Sequence, residues 1–140
     1  MTGARFTKYK DNIYQAKVST APKQLFYKDK PMPWASWPKV TSADNWVKSK
    51  RWIEGDQVDA NRVIKADFSS IKDADLTGGV CYLRDLTSVM RHNIESFDGE
   101  NLKLETVGNR RKTTSSIFLL AGAVDLISMP GEWAYKDGIL

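Results

Sequence analysis

The spacing of prolines in the first forty residues constrains this chain most. Four of its five prolines lie close together, at Pro22, Pro31, Pro33 and Pro38. Proline fixes φ, has no amide proton to donate and pushes the residue before it towards extended geometry. Residues 20–40 are therefore predicted to form an extended, polyproline-like segment rather than a helix.

Positive charge and aromatic rings are concentrated in the same part of the chain. Residues 1–52 contain 11 lysines and arginines against three aspartates, whereas residues 53–140 contain 10 against 14 acidic residues. Nine of the fifteen aromatic side chains also lie before residue 53. Disordered tails are poor in aromatic residues, so we expect this basic segment to pack against protein rather than move freely in solvent.

The residue inventory excludes several functional classes. With one cysteine, Cys81, and one histidine, His92, the chain has no intramolecular disulfide, no multi-cysteine zinc site and no site with several imidazole ligands. The longest apolar run, Ile117–Val124, is eight residues, and a membrane helix needs about 20. No apolar stretch resembling a secretory signal follows the first residues. We therefore expect no membrane partner, and a location in the cytoplasm or within an assembled particle.

Residues 41–53 carry the signals of a helix. Thr41 is placed as its N-cap and Asp44 as the residue that reaches back to the cap. This helix is expected to stop at Gly55, because glycine is typical just after a helix end. The next segment, Arg62–Phe68, is short and partly β-branched and is predicted as a strand.

Residues 80–96 are predicted as an amphipathic helix, because apolar side chains recur there near helical intervals. These side chains are Leu83, Leu86, Met90, Ile94 and Phe97. Asp98 and Gly99 would end that helix. The alternative interpretation places Asp98 and Gly99 at the tip of a β-hairpin.

Residues 102–106 alternate apolar with polar side chains and are predicted as a half-buried strand. For residues 113–128 two interpretations stay open. A partner strand from Thr114 to Ala121 fits the pattern, and a helix through Ile117 and Ile127 fits it almost as well.

Together these elements predict a small single α+β domain with two or three helices, a short antiparallel sheet and an extended, basic, proline- and aromatic-rich N-terminal arm. The arm is predicted to span residues 1–40. The compact body is predicted to span residues 41–140.

The arm supplies the candidate partner-binding residues, because aromatic rings are the usual anchors of protein interfaces. The side chains predicted to contact a partner are Phe26, Tyr27, Trp34, Trp37, Trp46, Trp52, Lys28, Lys30 and Lys39. Lysines also neutralise phosphates and ring faces stack on bases, so single-stranded nucleic acid is the alternative partner. The candidate residues for that alternative are Lys48, Lys50, Arg51, Arg110, Arg111 and Lys112.

Two polar segments carry weaker chemical signals. Gly108–Ser115 has the glycine, hydroxyl and guanidinium groups of a phosphate-binding turn, but it lacks the Walker spacing and is interpreted as a solvated turn. Asp73 and Asp75, with Asp67 nearby, have the oxygen ligands of a Mg²⁺ site. Aspartates at caps and turns explain them better.

His92 and Cys81 are the remaining residues of chemical interest. On the predicted helix Glu95 follows His92 by three residues and is placed to pair with it, but no nucleophile or second ligand accompanies this imidazole, which is interpreted as structural. Cys81, between Val80 and Tyr82, is interpreted as a small buried apolar residue rather than an activated thiol. No catalytic residue, metal site or cofactor is therefore predicted.

These observations predict a non-enzymatic structural subunit, of the kind that forms coats, connectors or virion-like oligomers. Its N-terminal arm is expected to pack on neighbouring copies, whose bodies are acidic. The alternative function is that of a single-stranded nucleic-acid-binding protein, which would use the basic aromatic arm together with the turn at Arg110–Lys112.

Overall fold

The chain folds as a nearly all-β protein. A computed structural model describes residues 4–39, 52–57, 62–84, 88–105 and 116–140. Strands make up 45% of the structure and helical residues 3%; the helical residues of the described ranges are one 3₁₀ turn, Val124–Leu126. The predicted α+β fold with two or three helices is therefore wrong. No helix within the described ranges is long and apolar enough to cross a bilayer.

The described residues include eleven strands. They are β1 (Thr7–Lys10), β2 (Ile13–Gln15), β3 (Phe26–Tyr27), β4 (Lys30–Pro31), β5 (Ser36–Trp37), β6 (Ile53–Gln57), β7 (Val63–Lys65), β8 (Val80–Arg84), β9 (Val89–Phe97), β10 (Asn101–Leu104) and β11 (Ser116–Ala121). Six of them close an antiparallel barrel in the order β6-β7-β10-β9-β8-β11, and β11 returns to pair with β6. The other strands belong to the arm.

The barrel interior is filled by side chains that alternate along its strands. Leu102 and Leu104 of β10 are fully buried, as are Phe118 and Leu120 of β11. Ile64 of β7 joins the same apolar cluster. Because successive strand residues point to opposite faces, this period of two directs one apolar row of each strand into a common core.

Residues 80–97 form two strands, so the helix predicted there is wrong. β8 and β9 pair in register from Val80 opposite Asn93 to Arg84 opposite Val89. The apolar spacing misled because residues four apart share a face in a strand as well as in a helix. The hairpin alternative is correct for the following turn, where Gly99 has a φ of +93°, a conformation that glycine adopts without strain.

The strand predictions agree with the structure more closely than the helix predictions do. The strand predicted over 62–68 is confirmed for Val63–Lys65, as β7. The strand predicted over 102–106 is confirmed up to Leu104, as β10, and Thr106 lies outside the described ranges. In the open segment 113–128 the strand alternative is correct for Ser116–Ala121, as β11, but this strand pairs with β5, β6 and β8 and not with the strand over 102–106 that it was expected to partner. The helix predicted over 41–53 is wrong at its end, because Ile53 begins β6 and that strand continues through Gly55; residues 40–51 lie outside the described ranges. The division into an arm and a body at residue 40 stays a prediction.

The arm is tied at two places to the rest of the chain, namely to the C-terminal segment and to β11. Ala16 and Leu140 exchange both backbone hydrogen bonds, each 2.9 Å long. Further along, β5 pairs with the end of β11, with Trp37 opposite Leu120, and the Ala35 amide donates to the Trp133 carbonyl oxygen at 2.8 Å. The β1–β2 and β3–β4 hairpins are therefore held at their bases.

Candidate functional site

Two short hairpins of the arm carry all the exposed aromatic rings of the described structure. We call them the arm hairpins: residues 6–15, which contain β1–β2, and residues 26–31, which contain β3–β4. The exposed rings are Phe6 (55%), Tyr9 (56%), Tyr14 (58%), Phe26 (65%) and Tyr27 (65%). Exposed rings on one segment mark an interaction surface more strongly than rings scattered singly.

The β1–β2 hairpin has no buried face of its own. Every residue of β1 is exposed. Lys8 lies opposite Tyr14, and the register then shifts at Tyr9. Cross-strand partners share a face, so one face of this hairpin presents a ring beside an ammonium group. An isolated two-stranded hairpin is only marginally stable in water, and contact with a partner would stabilise it.

The β3–β4 hairpin ends in a two-residue turn in which both residues are left-handed. Phe26 pairs with Pro31 and Tyr27 with Lys30. Between them Lys28 and Asp29 have φ values of +48° and +62°, as a type I′ turn requires. Neither residue is glycine, so this conformation is strained. Such strain is concentrated at binding surfaces and turns that hold a defined shape.

The base of the β3–β4 hairpin is fixed to the C-terminal segment through Trp133. The Met32 amide donates to the Leu25 carbonyl oxygen at 2.8 Å. The Met32 carbonyl oxygen accepts from Gln24 Nε2 at 2.8 Å and from Trp133 Nε1 at 3.1 Å. The exposed rings of Phe26 and Tyr27 therefore project from an anchored base.

The charge on the arm hairpins is positive and unneutralised. Lysines at the hairpins are Lys8, Lys10, Lys28 and Lys30. In the described ranges none of them forms an ion pair; the Lys28 ammonium instead lies 5.4 Å from the centre of the Tyr27 ring, a cation–π distance. Each hairpin thus offers apolar rings together with ammonium groups that form no ion pair in the described ranges.

Exposed carboxylates form a negatively charged surface at one end of the barrel. We call this the acidic end; its members are Asp67, Asp73, Asp98 and Glu100, all exposed. Two of its segments touch: a Cβ built on Gly99 would lie 2.8 Å from the Lys72 carbonyl oxygen. The exposed Lys72 lies among these carboxylates, and the local charge is still negative.

Local hydrogen bonds favour the charged form of two carboxylates of the acidic end, Asp67 and Asp98. A hydrogen bond with the Ser69 side chain, helped by the Ser69 amide, holds the pKa of Asp67 below its ordinary value. Hydrogen bonds with the Asn101 side chain and amide and with the Glu100 amide do the same for the pKa of Asp98. A depressed carboxyl pKa means that the charged form is favoured.

Three of the predicted partner-binding residues pack within their own chain. The Trp34 ring meets that of Trp133 edge-on, with 5.3 Å between ring centres. The Trp37 ring lies 5.7 Å from the Phe68 ring, and its Nε1 donates to Ser70 Oγ at 3.0 Å. Lys39 Nζ contacts both carboxylate oxygens of Glu132, each at 3.0 Å.

The remaining predicted residues divide between exposed and undescribed positions. Phe26, Tyr27, Lys28 and Lys30 are exposed, and Trp52 is half-buried. The residues that lie outside the described ranges are Trp46, Lys48, Lys50, Arg51, Arg110, Arg111 and Lys112. Partner binding by any of these residues stays a prediction. The first hairpin was not singled out, although its alternating segments on either side of Asp11-Asn12 are a hairpin signal.

His92 and Cys81 lie in the barrel wall. His92 is 2% exposed on β9, and Arg62 Nη1 lies 2.7 Å from its Nδ1. Glu95 is exposed on the other face of β9 and pairs with Lys103 at 2.6 Å, so the predicted pairing of His92 with Glu95 is wrong. Burial raises the pKa of the Cys81 thiol. The prediction that Cys81 is buried rather than activated is confirmed.

Two of the three aspartates considered as Mg²⁺ ligands, Asp67 and Asp75, act in local structure. Asp75 accepts the Thr77 amide at 2.8 Å and meets Lys136 Nζ at 3.3 Å, and Asp67 accepts the Ser69 amide at 3.1 Å. In the part of the chain that is described, no three His, Cys, Asp or Glu side chains are placed to hold a metal ion. The chain matches no protein-family model, no curated protein and no solved structure.

Proposed function

We propose that this protein is a non-enzymatic assembly subunit whose arm hairpins bind neighbouring copies of the same chain. The exposure of five aromatic rings on two hairpins carries the proposal. A ring offers about 200 Å², and Phe26 and Tyr27 are each 65% exposed. At about 25 cal/mol per Å², covering one such ring contributes about 3 kcal/mol before the costs of association.

A second copy is the favoured partner because the charges of the chain are complementary. The described part of the arm, residues 4–39, has eight lysines and arginines against two aspartates, whereas residues 53–140 have an acidic excess. Electrostatic complementarity of this kind steers association and selects partners. The arm carries ammonium groups that form no ion pair within the described ranges. It is therefore suited to bind the acidic body of a neighbouring copy.

Light scattering on the full chain after size-exclusion chromatography tests the proposal. We expect the wild type to form oligomers and the Phe26→Ser/Tyr27→Ser variant, called the hairpin variant, to associate at least about tenfold more weakly, since about 1.4 kcal/mol is a factor of ten. Met129→Ser is the matched control, because Met129 is an apolar side chain 45% exposed on the body. A wild type that stays monomeric at high concentration contradicts the proposal.

Single-stranded nucleic acid is the second candidate partner. The observation in its favour is the Lys28 ammonium beside the exposed Tyr27 ring, an arrangement suited to a phosphate next to a stacked base. Binding of an oligothymidylate, measured by fluorescence anisotropy, should then fall steeply with salt. Nuclease treatment separates the two candidates: oligomers formed by protein contacts survive it, and oligomers held together by nucleic acid dissociate.

A further inference from the structure

We propose that the contact between copies is heterologous, with the β3–β4 hairpin of one copy docked on the acidic end of the next. This inference rests on the proposed function and names the surface that receives the arm. A heterologous contact uses two different patches, so copies add head to tail and build a ring or an open array. A two-fold contact between two arms would instead stop at a dimer.

The charges of the arm hairpins disfavour contact between two arms. Lys28 and Lys30 flank the exposed Tyr27 ring, and Lys8 and Lys10 occupy the other hairpin, with Asp11 and Asp29 in the turns as the opposing charges. Placing two such surfaces together would bring ammonium groups against ammonium groups while their rings are buried. Like charges in an interface cost several kcal/mol, so two arms are poor partners for each other.

The acidic end complements the β3–β4 hairpin in charge. Asp73 and Glu100 are exposed there and make no side-chain hydrogen bond or ion pair in the described structure. Asp67 and Asp98 are committed to local hydrogen bonds but keep their charge. Lys28 and Lys30 likewise have no carboxylate of their own chain within ion-pair distance in the described ranges. The two surfaces therefore carry an excess of opposite charge, although Lys72 lies at the acidic end and Asp29 in the hairpin turn.

The anchored base of the hairpin makes it suited to a second molecule. The Trp133 Nε1 bond to the Met32 carbonyl oxygen holds the hairpin to the C-terminal segment of its own chain, and the Phe26 and Tyr27 rings remain 65% exposed in that position. The segment that anchors the hairpin does not cover these rings. The acidic end of another copy supplies carboxylates for the lysines, and the edges of the rings are buried as the surfaces meet.

Charge reversal on the receiving surface tests the inference. In the acidic-end variant, Asp73→Lys and Glu100→Lys reverse two carboxylates that have no side-chain partner among the described residues. In the control variant, Glu95→Lys and Glu105→Lys make the same change in net charge on the outer face of the barrel. We expect the acidic-end variant to associate about tenfold or more weakly than the wild type and the control to associate nearly as well as the wild type.

Mixing two variants tests the direction of the contact. The hairpin variant keeps an intact acidic end, and the acidic-end variant keeps an intact hairpin. At a concentration where each variant alone is weakened enough to stay monomeric, the two should form a 1:1 complex when mixed. If the acidic-end variant oligomerises alone like the wild type while the hairpin variant is monomeric, the heterologous contact is refuted and the proposed function stands. A monomeric wild type refutes both.

The salt dependence of association can be measured on the wild type alone. It therefore tests the heterologous contact even if the acidic-end variant fails to fold. Attraction between opposite charges is screened by salt, so we expect association to weaken by about tenfold between about 50 mM and about 500 mM NaCl. Association between two basic arms would strengthen over the same range, because salt screens their repulsion. That second result would overturn the heterologous contact.

Discussion

The link between Lys39 and Glu132 allows a direct test of how firmly the arm is held to the barrel. Lys39 Nζ contacts both carboxylate oxygens of Glu132 at 3.0 Å. The Glu132 side chain is only 3% exposed, and that of Lys39 is 28% exposed. One Glu132 oxygen also accepts the amides of Ser128 and Met129, at 2.8 Å and 3.0 Å. The perturbation is Lys39→Met, which keeps most of the side-chain stem and removes the charge.

The expected cost follows from what Lys39→Met leaves behind. Breaking a buried ion pair by removing one partner costs about 3–5 kcal/mol. The two backbone amides still solvate the Glu132 carboxylate, and Lys39 is partly exposed, so we expect a loss of about 2–3 kcal/mol in the free energy of unfolding. The double variant Lys39→Met/Glu132→Gln should cost less than the two single variants together, because it leaves no unpaired charge.

Lys103→Met is the matched control for this prediction. Lys103 pairs with Glu95 at 2.6 Å, a shorter distance than in the Lys39 pair, but both side chains are more than 40% exposed. Exposed pairs contribute about 0–1 kcal/mol, so the control should lose about 0.5 kcal/mol or less. Urea unfolding followed by tryptophan fluorescence measures both losses. If Lys103→Met costs as much as Lys39→Met, burial is not what gives the Lys39 pair its strength.

Three further predictions concern the barrel. The pKa of Asp98 is lowered in the folded state, so this carboxylate stabilises the fold at pH values above its unfolded pKa of 3.8. The contribution is lost as the pH falls through the folded pKa. The melting temperature of Asp98→Ala should therefore approach that of the wild type under acid conditions. Gly99→Ala should lower the melting temperature more than Gly131→Ala, since both have positive φ and only Gly99 meets backbone at 2.8 Å. Cys81 is buried, so it should react with Ellman's reagent only after denaturant is added, and rapid reaction of the native protein would contradict its placement.

Local patterns in the sequence were sufficient for some strands and misleading for others. Residues 102–104 alternate cleanly, and one strand accounts for them. Residues 83–97 do not belong to one strand. Leu83 lies on β8, whereas Met90 and Ile94 lie on β9. Spacings of four are shared by both kinds of element. A helical period read across two strands is therefore an error that a single sequence does not reveal.

Closure of the barrel lies beyond what sequence periodicity contains. β11 pairs with β8 on one side and with β6 and β5 on the other, and these partners come from distant parts of the chain. β11 is buried on both faces, with Phe118 and Leu119 both fully covered. A short apolar run of this kind fits a buried strand or a buried helix equally well, which is why two interpretations of residues 113–128 stayed open.

The composition of the arm predicted that its rings contact protein. It did not predict which rings contact their own chain and which stay exposed. The difference lies in tertiary placement. Trp37 belongs to β5 and Trp34 lies two residues before it, and β5 pairs with β11 on the barrel. Phe26 and Tyr27 belong instead to a hairpin that pairs only with itself among the described strands. Aromatic content alone treats these rings as one group. The sheet register separates them.

This separation gives the arm the physical properties of a pre-organised binding element. A disordered basic tail would have to order its backbone on binding, at about 1–2 kcal/mol for each residue fixed. The arm hairpins are already paired and are held at Ala16 and Met32 by hydrogen bonds to Leu140 and Trp133. Most of the ordering cost is therefore met when the barrel folds. The rings that pack inside the chain thus raise the affinity with which the exposed rings of the arm hairpins bind a neighbouring copy. Removing the contact between Lys39 and Glu132 should therefore weaken association between copies and also lower the stability of the fold.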